Sequence, residues 1–124
     1  MSDPVHHPAH YSSDRFGIEC IEFARHMTFC QGNAFKYVWR HARKGGAEDL
    51  RKAVVYLKWA IEQDERPDYS SESVRILRGM ANSYLSGSAE ARGVYRALIR
   101  IATGEYSYAI PIINTAIYYL EKQP

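Results

Sequence analysis

The sequence predicts an all-α protein: a compact helical domain of about five to six helices with an extended N-terminal arm. Three observations carry this. From Gly17 onward apolar residues recur at helical spacing through nearly the whole chain. Alternating apolar–polar runs flanked by hairpin turns are missing, which argues against a substantial sheet. The breaks in the helical pattern fall at Gly-, Pro- and Ser-rich points, as turns should.

The elements follow in order. Residues 1–16 carry two Pro and three His with no helical period, and form the arm. A first helix is expected over 17–29, with Ile18, Ile21, Ala24 and Met27 on one face. A second spans 32–43 and ends at Lys44-Gly45-Gly46. A third spans 47–63. It places Glu48 and Asp49 in its first turn, where acids suit the helix dipole, and Leu50, Ala53, Val54, Leu57 and Ile61 in an apolar stripe. The polar connector Asp64-Glu65-Arg66-Pro67-Asp68 is the best internal boundary. A fourth helix, over 71–85, carries Val74, Leu77, Ala81 and Leu85; a fifth covers 89–102. The last runs to Lys122, with Pro111 near its start or kinking it. The chain thus divides into an arm (1–16), a helical core (17–63), and C-terminal helices (64–124) that pack on the core or form an oligomer interface.

Composition excludes several classes of function. At 124 residues and 14.2 kDa the chain makes one domain. No apolar run reaches the roughly 18–20 residues of a membrane span, and the N-terminus lacks the apolar stretch of a signal peptide, so the expected compartment is the cytoplasm. Cys20 and Cys30 are then expected as reduced thiols on helices. A net charge of +2 is too balanced for a dedicated DNA-binding protein, so no DNA binding is expected. Arg outnumbers Lys 11 to 5, which suits two-pronged binding of phosphate or carboxylate; ten Tyr suit interfaces and stacking pockets.

The second helix carries the clearest chemical message. Asn33, Lys36, Tyr37, Arg40 and Lys44 share one sector, and Ala34, Phe35, Val38, Trp39 and Ala42 fill the other. A solvated face normally mixes acids with bases, yet Lys36, Arg40 and Lys44 repeat at i, i+4, i+8 with no acid among them. Either an anion sits opposite, or acids of a neighbouring helix do. Charge reversal by Arg40→Glu is expected to abolish nucleotide binding and to leave helicity intact. Gly32 before this face would let a phosphate approach a helix N-terminus; a simple cap explains it equally well. Lys44-Gly45-Gly46 is not a Walker A loop.

On the third helix, Lys52 and Tyr56 join the polar side, with Trp59 nearby. Glu48 and Asp49 could hold Mg²⁺ beside a phosphate, or simply complement the dipole with a Glu48–Lys52 pair. Glu19 and Glu22 form an E-x-x-E step. His6, His7 and His10 lie in a Pro-broken arm without a fourth ligand; His10 and Tyr11 could instead fold over a ligand. Arg92, Arg96 and Arg100 form a further stripe, for an anion or for a partner subunit.

His10-Tyr11, Gly17-Ile18-Glu19-Cys20-Ile21-Glu22, Gly32-Asn33, Lys36-Tyr37, Arg40, Lys44-Gly45-Gly46, Glu48-Asp49-Leu50, Lys52-Ala53 and Tyr56-Leu57 together resemble a family of small phage proteins described as nucleotide kinase-like or as a domain of unknown function. The likeness covers residues 8–62. It implies a phage origin, hence the cytoplasm of an infected bacterial host, a homo-oligomer, and a nucleotide as ligand. Residues 63–124 fall outside it.

Three nucleotide readings follow, beside a purely structural or host-interaction role. A phosphotransferase acting on nucleoside monophosphates would use Lys36, Arg40 and Lys44 on phosphates, Glu48 or Asp49 on Mg²⁺, and Asn33 and Tyr37 on sugar or base. A non-catalytic sponge would sequester a cyclic or ADP-ribose-type immune signal with the same cations and tyrosines and no metal. An all-α nucleotide pyrophosphohydrolase would need a second acidic pair, but the position three after Asp49 is Lys52.

Overall fold

A computed structural model describes residues 19–67, 72, 74–75, 78–79 and 93–122 of the chain. Among the described residues there are five helices and no strand: α1 (Ile21–Ala24), α2 (Phe29–Arg40), α3 (Gly46–Glu62), α4 (Arg96–Ala102) and α5 (Tyr106–Lys122). The all-α expectation holds. The arm and most of the expected helix over 71–85 lie outside the described residues. Within that helix, Glu72, Val74, Arg75, Arg78 and Gly79 are helical, and Val74 is buried.

The helices close a ring: α2 packs on α3, α3 on α5, α5 on α4, and α4 back on α2, with α1 against α2. Each contributes an apolar stripe. Ala34, Phe35, Val38 and Trp39 come from α2; Leu50, Ala53, Leu57 and Ala60 from α3; Leu98 and Ile101 from α4; Ala109 and Ile113 from α5. The rings of Phe23, Phe35 and Trp39 touch one another pairwise at 5.6–5.8 Å, which anchors α1 on α2.

Helix ends decide where the chain turns. Asp64 (φ 53) and Gly104 (φ 80) both take the left-handed conformation just past a helix. Glu65 N–H then donates to the Ala60 carbonyl at 2.9 Å, and Glu105 N–H to Arg100 at 2.7 Å, closing α3 and α4 in the same way.

The first helix is shorter than expected. Its periodicity predicts helix through residue 29, but α1 stops at Ala24 and α2 begins at Phe29. Thr28 is the reason. Its backbone is extended (ψ 169), and its N–H donates to Gln31 Oε1 at 3.2 Å, the return half of a capping box. The buried face of α1 is therefore Phe23; Ile21 is exposed. Likewise Ala60 replaces Ile61 in the α3 stripe, because Ile61 faces solvent. Pro111 sits inside α5, on its exposed side.

Candidate functional site

The seam between α2 and α3 gathers most of the residues singled out by the sequence. Tyr37 of α2 stacks on Tyr56 of α3, with centroids 5.8 Å apart and planes at 20°. Three cations surround the Tyr37 ring: Lys36 Nζ at 4.7 Å, Arg40 Cζ at 4.7 Å and Lys52 Nζ at 5.6 Å from its centroid. Asn33 fastens this group. Its Nδ2 donates to the Phe29 carbonyl at 2.8 Å, and its Oδ1 accepts from Lys36 Nζ at 3.2 Å. Asn33, Lys36, Tyr37, Arg40, Lys52 and Tyr56 thus form one cluster.

The cations differ in kind. Arg40 is buried, 8% exposed, beside Asp49 at 2%. Its Nε donates to Asp49 Oδ2 at 3.1 Å and its Nη2 to Oδ1 at 3.3 Å, a two-pronged pair. Asp49 Oδ2 also accepts the Gly45 N–H at 3.1 Å. The bare Gly45 makes room for this: a Cβ there would lie 2.3 Å from Asp49 Cγ. Gly46 follows with φ +54, and its N–H donates to the His41 carbonyl at 2.7 Å. So the Lys44-Gly45-Gly46 turn seats a carboxylate of the protein itself, and Arg40 is an internal strut. The reversal Arg40→Glu would press two carboxylates together in the interior, so it tests folding and not ligand binding.

Lys36 and Lys52 remain as the accessible cations of the cluster. Among the described residues neither has an acidic partner; the Glu48–Lys52 pair does not form, and Glu48 is exposed. Lys44 lies exposed in the turn. Of the two acids considered for Mg²⁺, Asp49 has both oxygens engaged by Arg40, and Glu48 is exposed. Among the described residues no group of three His, Cys, Asp or Glu gathers for a metal ion. His10, Tyr11 and Arg92 lie outside the described residues. Arg100 pairs with Glu105 at 2.5 Å.

The α2 N-terminus, a candidate phosphate site in the sequence, is already filled. Glu65, from the turn after α3, accepts the Cys30 N–H at 3.1 Å and the Gln31 N–H at 3.3 Å. Burial pushes the Glu65 carboxyl up, but hydrogen bonds from the side chains of Cys30 and Thr28 and from these backbone groups outweigh it and hold it below the ordinary range. Gly32 lies inside the first turns of α2, where a Cβ would meet only ordinary contacts at 3.4–3.5 Å. Cys20 and Cys30 are free and buried. Burial pushes Cys20 up to about 12; burial and then the Glu65 hydrogen bond push Cys30 up to about 11. Both shifts favour the protonated thiol over the thiolate at neutral pH.

Two aromatic residues complete the seam. Phe29, 72% exposed, meets Tyr56 edge-on at 6.1 Å, and Trp59, 45% exposed, does so at 5.3 Å. Trp59 was noted from spacing. Phe29 was missed because it was assigned to the end of the preceding helix; its spacing of i, i+4, i+8 with Asn33 and Tyr37 was the available signal. Glu65 had none, being 35 residues from the groups it caps.

Residues 5–58 match the model of a family of proteins of unknown function, DUF3310. The match takes in α1, α2 and α3 as far as Lys58, so it contains the whole Tyr37–Tyr56 cluster and stops one residue before Trp59. No curated protein and no solved structure matches the chain.

Proposed function

We propose that this chain binds a nucleotide on the α2–α3 seam and retains it without chemical change. The observation that carries the reading is the pair Lys36 and Lys52, held against a stacked tyrosine pair while Asp49, on the same helix as Lys52, is already bound to Arg40. Two ammonium groups about one ring repel each other, and an anion between them relieves that repulsion. The neighbouring aromatic rings supply stacking surface for a base. The commitment of Asp49 to Arg40 favours retention over phosphoryl transfer, because both of its oxygens are engaged and it is not free to hold Mg²⁺.

In a phage setting such a protein acts as a sponge, with cyclic and ADP-ribose-type nucleotide signals as its candidate cargo. Self-association belongs to the same reading. It is supported by the exposed Tyr108, Tyr118, Tyr119 and Leu120 of α5.

The test is one incubation of purified protein with ATP, Mg²⁺, nucleoside monophosphates, cyclic nucleotides and ADP-ribose. Bound and free fractions are separated, denatured and read by mass spectrometry. The expected result is a nucleotide recovered unchanged from the bound fraction. New nucleoside diphosphates would replace this reading with phosphotransfer, and an empty bound fraction would remove it.

A further inference from the structure

The seam is not uniform along its length. Phe29 and Trp59 lie at one end, and Lys36 and Lys52 lie seven residues further along on their respective helices, toward the Lys44-Gly45-Gly46 turn. Because α2 and α3 are joined by that short turn and pack as neighbours, the two offsets run the same way. Seven residues are about 10 Å of helix. The ring contacts repeat the order: the exposed Phe29 and Trp59 rings meet Tyr56, Tyr56 stacks on Tyr37, and both lysine ammonium groups lie against Tyr37.

Charge follows the same axis. The aromatic end adjoins Glu65, whose carboxylate caps the first turn of α2, next to Phe29. Asp64 lies beside it and pairs with Arg66 at 3.2 Å. A phosphate there would meet a carboxylate already holding the backbone N–H groups that phosphate prefers. At the other end Lys36 and Lys52 have no acidic partner among the described residues, and Lys44 is exposed beyond them.

We infer that the seam takes a pyrophosphate-bearing nucleotide in one orientation, with its base on Phe29 and Trp59 and its phosphates between Lys36 and Lys52. This rests on the nucleotide-binding reading and adds polarity and ligand class to it. Lys36 and Lys52 approach the Tyr37 ring from different helices, so a chain of two or more phosphates gives each ammonium its own phosphoryl group, where a single phosphate must serve both. Neither ring is a core residue, so each can be replaced without opening the interior.

The probes are purine and pyrimidine nucleoside mono-, di- and triphosphates, together with inorganic tripolyphosphate. Affinity is measured by calorimetry and by tryptophan fluorescence, with circular dichroism as the check on folding. Trp39 is buried and Trp59 half exposed, so the response of wild-type protein minus that of Trp59→Phe isolates the surface ring. Diphosphates are expected to bind at least tenfold more tightly than the matching monophosphates, and to quench Trp59. Tripolyphosphate should bind without quenching. Trp59→Leu should weaken nucleotides at least fivefold and leave tripolyphosphate unchanged, whereas Lys36→Ala and Lys52→Ala should weaken both. If nucleotides bind with Trp59 silent, or mono- and diphosphates bind equally, the orientation is overturned and nucleotide binding survives. If no nucleotide binds to folded protein, both fall.

Discussion

At Gly45 a methyl group would sit 2.3 Å from the Asp49 carboxylate, and that carboxylate holds Arg40 inside the protein. Substitution to Ala must therefore dislodge Asp49. Gly45→Ala is expected to cost much of what breaking the pair costs, and Asp49→Ala about 3–5 kcal/mol, because it leaves the Arg40 charge buried and unmatched. Urea denaturation of the single variants checks both, and Arg40→Met with Asp49→Leu should cost less than the two single losses added. Gly32→Ala points the other way. Its Cβ meets only ordinary contacts within a helix, so stability should rise by up to about 1 kcal/mol. Nucleotide binding should be untouched, since Glu65 and not a ligand covers that end of α2. The sequence placed Arg40 and Asp49 on the polar sides of two helices correctly and could not show that those sides face each other. Spacing along one helix reveals which residues share a sector; whether the sector meets water or a neighbour depends on the crossing of two helices.

The elements are held at their ends by a few long-range hydrogen bonds. Gln31 is buried: its Oε1 accepts from Thr28 at the start of α2, and its Nε2 donates to the Ile101 and Ala102 carbonyls at 3.0 and 3.2 Å. One side chain thus caps the N-terminus of α2 and the C-terminus of α4. Glu65 ties the same end of α2 to the end of α3. Its carboxyl is held below the ordinary 4.5, so ionised Glu65 stabilises the fold above that value, and the contribution is lost as pH falls through its lowered value. Glu65→Gln should cost about 1 kcal/mol at neutral pH. The gap between wild type and variant in urea midpoint should close as pH falls below 4.5 through the lowered Glu65 value. Glu105, lowered by the Thr103 hydroxyl, also loses ionisation in this range, so the comparison rests on the gap and not on either curve alone. A gap that persists in acid would mean that Glu65 acts through packing. Of the helix boundaries, the end of α3 was legible, since Asp64-Glu65-Arg66-Pro67 is a polar break. The restart at Thr28 was not, because Thr28-Phe29-Cys30-Gln31 hides a capping box within a continuous apolar pattern.

Over the whole molecule, α4 and α5 back the α2–α3 pair and leave its cationic, aromatic seam on the outside. Most of the core stripe of α2 was legible: Ala34, Phe35 and Val38 are fully buried and Trp39 nearly so, whereas Ala42, expected on the same side, lies past the end of the helix and is exposed. Trp39→Ala should cost about 3–5 kcal/mol, read as a loss of thermal midpoint, because it removes one member of the Phe23–Phe35–Trp39 cluster. What the pattern could not convey was which helices close the ring, since that depends on contacts between residues 35 to 70 positions apart, such as Cys30–Glu65 and Gln31–Ile101. At 14.2 kDa the chain suits amide-resolved NMR, the most direct test that the seam is a nucleotide site. Titration of labelled protein with a nucleoside diphosphate should shift the amides of residues 33–37 and 52–59 and leave those of α5 in place, with the shifts abolished in Lys36→Glu/Lys52→Glu. Shifts centred on α4 and α5, or shifts unchanged in that double variant, would contradict the account.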